Sequence, residues 1–562
     1  MESLAPRYTD LAAPDGPGEP AGTTVVVTDR EDIAAAARSL GAECWYTDPA
    51  TLGEDRLAQE VRRHTARATT LVVAWGGAPP GGPVEYGAAV RFARAGLALL
   101  QAVRASGRPV HLVTLSRAGD ALPALLDGMA RTAALECPLA HTEVVHDGTV
   151  TAERLRAWTA AGARHPGARL RADGDRISRL DHVPAALDTV RPTDVFGAGD
   201  RVVVIGGTGG VGRRLCQYLS RTCGADVFVV GRGTPDPQAR EALREAGVRS
   251  HLGAPADEFA ALDGALRYVH DEFGPVKAVF NLAGVLDDCL LYNLTPDRLE
   301  TVLRPKVATA LNLAAVTGPH RPATVVHFSS LTSVTGNVGQ TAYGAANAFL
   351  DRLTALRPDW HSVNWGLWDT DGMQMPDDDS GLRAMSPERA CDVLMSAIAG
   401  GVRQLAVFEG ELSLDGGVGA AAEPQAGAPA AAAPGTAVPD LLALTTRWLR
   451  DLVVRHSGLR HLRDDDNLLD RGLDSVGSIR ISRDIETRLG ITGSSRLSRA
   501  VLFEYPTVAE LGAYLTENFR TELETSVAGE SLGEPSDERP GERSAESVQP
   551  VRPEHPRAER PA

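Results

Sequence analysis

The stretch Arg201–Leu215, "RVVVIGGTGGVGRRL", decides the fold of the chain around it. Its run of four branched apolar residues is typical of a strand buried on both faces, and its last letters are typical of a helix start. A strand, a Gly-rich turn and a helix in this order open a dinucleotide-binding α/β unit. The free N–H groups and the dipole of that helix would favour a pyrophosphate. The residues predicted to line this site are Gly206, Thr208, Gly209, Gly210 and Gly212.

Two later strands of the same series extend the predicted site. "DVFVVGRG" ends in Arg232, where NAD-preferring sites commonly carry an acid, and a guanidinium there can pair with a 2′-phosphate. This favours NADPH over NADH, and the alternative is an exposed loop arginine. In "AVFNLAGVLDD", Asn281, Ala283 and Gly284 follow a strand and would lie beside the cofactor, where small residues let the backbone pass close.

The strand–helix alternation also extends toward the N-terminus. "TTVVVTD", "TTLVVAW" and "VHLVTLS" are short β-branched runs, each followed by an Ala-, Arg- and Leu-rich helical stretch. The first of these strands is followed by acids rather than by a Gly-rich turn, and acids would repel a phosphate. The pattern predicts an α/β fold with two tandem Rossmann-like subdomains built on parallel sheets, the first without a cofactor site.

Composition divides the rest of the chain. The Ala-, Pro- and Gly-rich stretch 416–438 cannot bury a core and is predicted to be a linker, and helical periodicity resumes after it. The predicted divisions are a flexible N-terminus over 1–21, a first subdomain over 22–190, a second over 191–415, the linker over 416–438, a small helical bundle over 439–520 and a disordered tail over 521–562.

Charge and cysteine usage exclude several classes of protein. The chain has 562 residues and a net charge of -16, which argues against nucleic acid and an anionic membrane as partners. Its six cysteines form no CxxC pair, so we expect reduced thiols and no metal site. The polar, Pro-rich start lacks a signal peptide and no apolar run could span a bilayer, so we expect a soluble, cytoplasmic protein.

The stretch Ser329–Asn347, "SSLTSVTGNVGQTAYGAAN", carries the candidate chemistry. Ser330 ends a predicted strand, where open α/β sheets bind ligands, and Tyr343 and Asn347 lie one turn apart on one helix. A phenol has a pKa near 10 and is a poor acid at neutral pH. It needs a nearby cation to donate a proton to a ketone.

This spacing resembles the ketoreductase domains of modular polyketide synthases, a branch of the short-chain dehydrogenase/reductase superfamily. In these domains the lysine comes from the preceding helix, here "LRPKV" with Lys306, which would otherwise be read as a solvated surface residue. The resemblance implies that Lys306, Ser330, Tyr343 and Asn347 form the catalytic set. It covers roughly 22–411 and includes "GMARTAALECP" in the first subdomain, a structural one in this family, and "VNWGLWDTDGM" in the second.

The chain departs from the family pattern at two places. The usual Thr at the start of the Gly-rich loop is Ile205. The Asp-Val that typically meets the adenine is replaced by "SHLGAPADEF", with Gly253 to Pro255 at the expected place. Loss of that acceptor would cost about 0.5–1.5 kcal/mol if one hydrogen bond goes, so it bears on cofactor affinity more than on chemistry.

The helical bundle resembles an acyl carrier protein. "DRGLDSVGSIRISRDIETRLGI" places Ser475 at a helix start, where a serine could simply be an N-cap, but in this family that serine carries 4′-phosphopantetheine. "LFEYPTVAELGAYL" resembles the family's last helix. The flexible arm and the linker would hold one substrate at high effective concentration for several sites.

The triplet Leu286-Asp287-Asp288 follows the fourth strand of the second series. Ketoreductases with a Leu-Asp-Asp signature at this place resemble the B-type group, which gives a D-hydroxy product. The A-type marker, a tryptophan, would fall at position 335, which is Thr335 here. Alternatively, the two acids merely solvate a loop.

Together, the resemblances imply NADPH-dependent reduction of a β-ketoacyl thioester held on a carrier, within polyketide biosynthesis. The implied partners are a ketosynthase, an acyltransferase and a phosphopantetheinyl transferase, because no ketosynthase or acyltransferase sequence is present in the chain. One alternative is a carrier-presenting scaffold with a catalytically silent reductase half, motivated by the adenine-side departure. Another, a free-standing reductase for small ketones, leaves the carrier domain unexplained.

Overall fold

The computed structural model describes residues 1–11, 23–47, 54–65, 68–76, 84–232, 237–370, 382–412, 441–457, 462–468, 471, 473, 475–490, 497 and 501–526. The predicted linker, most of the predicted tail and residues 12–21 of the predicted N-terminal segment lie outside these residues.

Sixteen strands are described, and nearly all belong to one sheet. They are β1 (Glu2–Asp10), β2 (Thr24–Thr28), β3 (Glu43–Tyr46), β4 (Thr70–Ala74), β5 (Val110–Arg117), β6 (Leu139–Asp147), β7 (Arg169–Asp173), β8 (Arg176–Pro184), β9 (Arg201–Ile205), β10 (Asp226–Gly231), β11 (Val248–Gly253), β12 (Val276–Asn281), β13 (Thr324–Ser330), β14 (Trp360–Trp365), β15 (Leu382–Arg383) and β16 (Gln404–Gly410).

Helices cover the faces of this sheet. They are α1 (Glu31–Ser39), α2 (Glu54–Thr65), α3 (Tyr86–Ala105), α4 (Pro123–Glu136), α5 (Ala152–Arg164), α6 (Pro192–Val195), α7 (Gly210–Tyr218), α8 (Pro237–Glu245), α9 (Phe259–Phe273), α10 (Pro296–Leu303), α11 (Thr309–Ala315), α12 (Thr332–Thr335), α13 (Thr341–Ala355) and α14 (Pro387–Ala399). Two π-helical turns, Leu219–Cys223 and Arg304–Ala308, extend α7 and join α10 to α11.

The second unit, built on β9 to β16, is a parallel sheet in the order β11-β10-β9-β12-β13-β14-β16. Its central strands are continuous apolar runs because helices cover both faces. Val202, Val203 and Val204 of β9 are all fully buried. The strand order reverses direction at β9, between β10 and β12, and ligands bind at the carboxyl ends of strands at such a switch point.

The first unit, built on β2 to β8, repeats the architecture with the order β3-β2-β4-β5-β6-β7-β8. β2 to β7 run parallel, as the sequence predicts, whereas β8 pairs antiparallel with β7. The α/β class with two Rossmann-like units is therefore confirmed.

The first strand joins the two units, which the sequence did not predict. β1 pairs antiparallel with β16 on one side and with β8 on the other, so the two expected sheets form one. The prediction of a flexible N-terminus over 1–21 is wrong for Glu2–Asp10. This segment has little apolar content, and its strand depends on partners about 180 and 400 positions away.

Helices α4 and α13 form the main helical contact between the two units. A Cβ on Gly128 would collide with the carbonyl oxygen of Gly344, and a Cβ on Gly344 would lie 3.0 Å from that of Gly128. Two facing glycines therefore let the backbones touch. Since α13 carries the candidate tyrosine, the first unit packs directly behind the candidate site.

The carrier region is helical, as predicted. Its helices are α15 (Leu441–Ser457), α16 (Ser475–Leu489), α17 (Val501–Glu504), α18 (Val508–Asn518) and α19 (Arg520–Ser526). Leu449, Ile481 and Leu511 are fully buried in one shared core. The prediction that disorder begins at 521 is wrong for the first six residues, because Leu523 of α19 is also buried in that core.

Across the described ranges, no helix combines the length and apolarity needed to cross a bilayer. The same residues contain no group of three or more His, Cys, Asp or Glu side chains placed to hold a metal ion.

Candidate active site

The Gly-rich turn after β9 is as tight as the sequence predicts. Gly206 has a φ of +80°, and a Cβ there would lie 3.1 Å from the Leu282 carbonyl group. A Cβ on Gly212 would lie 2.5 Å from the Gly206 carbonyl oxygen, so α7 could not approach the turn with any other residue.

The start of α7 is open on its ligand side. Gly209 is the N-cap of this helix, and an added Cβ there would meet only the Gly206 carbonyl oxygen, at 3.7 Å. Thr208 is exposed beside it. A helix N-terminus with free space in front of it suits a pyrophosphate, so the residues present fit a dinucleotide.

The turn after β12 is held by its asparagine. Asn281 is 1% exposed; its Oδ1 accepts from the backbone N–H of Ala283 at 3.2 Å, and its Nδ2 lies 3.1 Å from Nδ1 of His327. Gly284 has a different role, because a Cβ there would lie 3.0 Å from Cε of Lys306. The small residues of this turn thus make room for a lysine as well as for a ligand.

The residues predicted to lie near the adenine end of the cofactor follow the ends of β10 and β11. Arg232 directly follows β10 and is exposed. Gly253 is the last residue of β11, and Ala254 and Pro255 continue from it at the same edge of the sheet. The departure from the family pattern therefore falls beside the position of the predicted 2′-phosphate contact.

Lys306 is buried, not a surface residue. It lies in the π-helical turn between α10 and α11, is 3% exposed, and donates from Nζ to the Phe328 carbonyl oxygen at 2.9 Å. The Nζ atom is 5.4 Å from the centre of the Tyr343 ring. Burial lowers the pKa of Lys306 to about 8, while the Asp351 carboxylate acts in the opposite direction.

Tyr343 lies in the first turn of α13, half-buried and close to two other predicted residues. Burial raises the pKa of its phenol, and the neighbouring Asn347 and Ser330 side chains oppose that shift. Asn347 is fully buried and donates from Nδ2 to the Tyr343 carbonyl oxygen at 2.8 Å. Its Oδ1 is buried without a hydrogen-bond partner among the described residues, so it can still accept one hydrogen bond.

All four predicted catalytic residues therefore meet at the carboxyl end of β13. Ser330 is the last residue of that strand, and its Oγ accepts from the backbone N–H of Thr332 at 3.2 Å. Behind the site, the buried Asp351 carboxylate accepts from Ser333, Ser362 and Asn364 at 2.6–2.7 Å, which fixes α13 against the sheet.

A chain of side-chain hydrogen bonds, which sequence reasoning missed, links Ser330 to the Leu-Asp-Asp triplet. Ser330 donates to Oγ1 of Thr332 at 3.2 Å, and Thr332 donates to Oε1 of Gln340 at 2.9 Å. Nε2 of Gln340 donates to the Asp288 carboxylate at 2.9 Å. The one sequence feature that could have indicated this chain of hydrogen bonds is Gln340. It lies three residues before Tyr343, on the loop between α12 and α13.

The triplet lies on residues 285–295, here called the entrance loop. Leu286 is 61% exposed, and Nε of Arg298 donates to the Asp287 carboxylate at 2.9 Å. That hydrogen bond lowers the pKa of Asp287. The two acids are therefore fixed by specific donors, Arg298 for one and Gln340 for the other, and do more than solvate a loop.

Ser475 is the first residue of α16, as predicted. Its side chain, like Asp474 before it, lies outside the described part of the structure.

Two family comparisons match successive parts of the chain. Residues 201–370 match the KR domain family, and residues 447–515 match the phosphopantetheine attachment site family.

Curated proteins similar to this chain are polyketide synthases. Polyketide synthase GfsA of Streptomyces halstedii is 30% identical over 470 residues, covering 75% of this chain and 6% of the relative. Erythronolide synthase EryA3 of Saccharopolyspora erythraea is 30% identical over 487 residues, covering 77% of this chain and 15% of the relative. The chain thus spans only a small part of the length of the relatives it matches.

Solved structures similar to this one are ketoreductases. A-type ketoreductases from a modular polyketide synthase match with 26% identity and a TM-score of 0.62, covering 73% of this chain and 93% of theirs. The first ketoreductase of the tylosin polyketide synthase matches with 26% identity and a TM-score of 0.57, covering 73% of this chain and 92% of its own.

The chain carries a ketoreductase domain followed by a phosphopantetheine-binding carrier domain, the arrangement of a modular polyketide synthase. The ketoreductase fold implies a nicotinamide cofactor and an oxidoreductase reaction.

Proposed function

We propose that the chain reduces the β-keto group of an acyl thioester held on a carrier, using NADPH, as one step of polyketide assembly. The observation that supports it most strongly is the meeting of Lys306, Tyr343 and Ser330 at one sheet edge. There Nζ of Lys306 is 5.4 Å from the centre of the Tyr343 ring, and the Ser330 side chain opposes the rise that burial causes in the pKa of the phenol. The open start of α7 lies at the same edge, where a dinucleotide can bring its nicotinamide to the ketone.

In this mechanism Tyr343 donates the proton to the ketone oxygen. A buried phenol is a weak acid, and the Lys306 ammonium stabilises the phenolate that remains. On substrate binding the Ser330 hydroxyl would turn its proton from Oγ1 of Thr332 to the ketone oxygen and orient it, while the backbone N–H of Thr332 holds the Ser330 oxygen in place. The bound nicotinamide supplies the hydride.

Asn347 has a supporting role in the proposal. It fixes the first turn of α13 through the Tyr343 carbonyl oxygen, and its free Oδ1 can accept from a water molecule that returns a proton to the phenolate. Lys306 takes part in the same relay.

NADPH is proposed over NADH because Arg232 is an exposed guanidinium at the end of β10, the strand next to the Gly-rich turn. There is no acid at this position to accept the 2′-hydroxyl of NADH. Residues 206–212, with Asn281, Ala283 and Gly284, would hold the rest of the dinucleotide.

Ser475 is proposed as the attachment point of 4′-phosphopantetheine, because α16 begins at this residue inside the matched attachment region. A phosphopantetheinyl transferase would load it, and ketosynthase and acyltransferase components would extend the bound chain. The domain bounds predicted from the sequence are retained with two changes: the N-terminal strand joins the ketoreductase, and α19 joins the carrier.

A B-type outcome, a D-configured β-hydroxyacyl product, is proposed from the Leu286-Asp287-Asp288 triplet and from Thr335 in place of tryptophan. The two acids are anchored by separate donors, so the triplet has a fixed position from which to guide the arm. One pose need be favoured by only about 2–3 kcal/mol to give nearly pure product. A relative of A-type also resembles this fold, and therefore fold similarity alone does not decide the configuration.

The reduction is tested with a β-ketoacyl N-acetylcysteamine thioester. We expect NADPH oxidation with D-hydroxy thioester as the main product, measured by absorbance and chiral chromatography. Mainly L-hydroxy product would overturn the B-type proposal, and absence of turnover would overturn the reductase proposal. Asp287→Ala and Asp288→Ala should erode the product ratio more than the rate.

The carrier proposal is tested by intact mass. Incubation with coenzyme A and a phosphopantetheinyl transferase should add one phosphopantetheine group, and Ser475→Ala should abolish the addition. Modification that survives this substitution would place the attachment point elsewhere. A silent scaffold is not favoured, because all four catalytic residues are brought together.

A further inference from the structure

Two polar side chains of the first unit reach across to the loops that border the candidate site. Glu136 is the last residue of α4, and Gln101 lies near the end of α3. Neither belongs to the unit that contains the catalytic residues. Both make hydrogen bonds to the backbone of that unit, where a change of side chain alters loop position rather than chemistry.

Glu136 holds two loops at once. Its Oε2 accepts from the backbone N–H of Leu291 at 2.6 Å, and its Oε1 accepts from the backbone N–H of Gly339 at 2.9 Å. Leu291 belongs to the entrance loop, whereas Gly339 belongs to residues 331–340, here called the catalytic loop. One carboxylate, 6% exposed, therefore sets the distance between the two loops.

Gln101 also holds the entrance loop, through two hydrogen bonds to its backbone. Its Nε2 donates to the carbonyl oxygens of Leu291 and Leu294, each at 2.9 Å. The peptide groups on both sides of Leu291 are thus held by the first unit, the N–H by Glu136 and the C=O by Gln101. The Leu291 side chain is fully buried beneath them.

The two held points are next to the residues proposed to control configuration. Gly339 precedes Gln340, whose amide donates to the Asp288 carboxylate at 2.9 Å. The Gly339 carbonyl oxygen in turn accepts from the backbone N–H of Cys289 at 2.8 Å. A shift at Glu136 would therefore move Asp288 relative to Ser330 and Tyr343.

The burial of this carboxylate argues for a positioning role. Burial raises the pKa of Glu136 to about 7, although its two backbone donors act in the opposite direction. Burying the charged form of this carboxylate therefore costs free energy, which its two backbone donors partly offset. Its two hydrogen bonds impose one geometry on two loops, as polar groups do where a site must be specified.

We propose that Glu136, assisted by Gln101, is a positioning residue for product configuration: it fixes the entrance loop against the catalytic loop from the first unit. This rests on the proposed ketone reduction. The first unit would then be part of the stereochemical apparatus although it holds neither cofactor nor substrate.

The test compares Glu136→Gln with a matched control on the same helix. The substituted amide would keep the size of the side chain, but its NH₂ group would face one of the two N–H donors. Asp127→Asn is the control, since Asp127 is a fully buried carboxylate of α4 whose partners Thr114 and His141 lie within the first unit. Both variants are made in the full chain.

Glu136→Gln should lower the ratio of D to L product about tenfold, as expected for the loss of one net hydrogen bond. It should change kcat much less than the product ratio. Hydrogen–deuterium exchange should become faster in peptides that cover 288–294 and 336–342. Asp127→Asn should leave the ratio and these exchange rates unchanged, even if it lowers the melting temperature equally.

A folded Glu136→Gln variant with an unchanged product ratio and unchanged exchange would overturn the inference. If this variant does not fold, Gln101→Ala takes its place, because Gln101 is only partly buried and its loss should shift both readouts in the same direction. If the unaltered chain fails to reduce the thioester, the proposed function fails, while the exchange measurement still tests whether Glu136 holds the loops.

Discussion

The two α/β units share a strand–helix pattern and differ at the carboxyl ends of their strands. In the second unit this edge carries glycines with open space at a helix start. In the first unit Arg30 fills the corresponding edge: it donates to the Asp32 carboxylate at 2.8 Å and lies 3.0 Å from Nε2 of His146. A cavity of about 270 Å³ remains there, lined by Arg30, Asp32, Trp75, Gly76, Arg117 and Asp120.

The same backbone architecture can therefore either leave room for a dinucleotide or exclude it. The first edge carries two arginines, Arg30 and Arg117, and two carboxylates, Asp32 and Asp120, so no net positive charge remains there for a phosphate. Binding depends on the turn residues and not on the fold. If only the second edge takes part in the reaction, substitutions there should change the kinetics and substitutions at the first edge should not.

The largest effect is expected at Tyr343. Tyr343→Phe removes the proton donor and should lower kcat at least about 10²-fold, the usual scale for general acid catalysis. Cofactor binding should remain, measured by fluorescence titration with NADPH. Near-normal turnover in this variant would mean that the proton comes from another group.

A smaller effect is expected at the nucleotide end of the second edge. Arg232→Ala should raise KM for NADPH by roughly tenfold or more, because a charge-assisted hydrogen bond to the 2′-phosphate is lost. KM for NADH should hardly change. Equal effects on both cofactors would show that Arg232 does not contact that phosphate.

The pH dependence of the rate should report on Lys306. Because its pKa is lowered to about 8, the ammonium loses its proton as the pH rises through 8, and kcat should then fall, approaching about tenfold per pH unit. Asp351→Asn removes the carboxylate that favours the charged form and should move this fall to lower pH. If kcat instead stays constant up to about pH 10, Lys306 does not act in catalysis as a charged group.

The smallest effect on activity is expected at the first edge. Arg30→Gln breaks a partly buried ion pair and should cost roughly 1–3 kcal/mol of stability, seen as a lower melting temperature. KM for NADPH and kcat should stay within about twofold, since no step uses this edge. A raised KM in a folded variant would contradict the division of roles between the two units.

The sequence predicted those structural elements that depend on residues close together in the chain. Continuous β-branched runs located the central strands, and the glycines located the tight turn after β9, because close backbone approach excludes any Cβ at Gly206 and Gly212. Lys306 could not be found from its own surroundings, since a lysine after a proline is usually exposed. It was found only through a family resemblance.

Contacts between distant segments were missed. Glu136 lies inside a motif used to identify the first unit, yet no local signal shows that its carboxylate faces loops 155 and 203 positions away. The strand Glu2–Asp10 was missed for the same reason. Its pairing depends on two partners that are distant in sequence, and its own residues alternate weakly between polar and apolar.

The position of β1 between β8 and β16 bears on how the chain folds during synthesis. Leu4 pairs with Pro184 on one side and with Ala406 on the other. At about 5–20 residues per second, the ribosome makes the second partner on the order of 10–50 s after the first. During that interval β1 presents an unpaired edge, a place where strands of other chains can add. Slower translation between Arg191 and Gln404 would lengthen this exposure, so the yield of folded protein should depend on elongation rate in that part of the message.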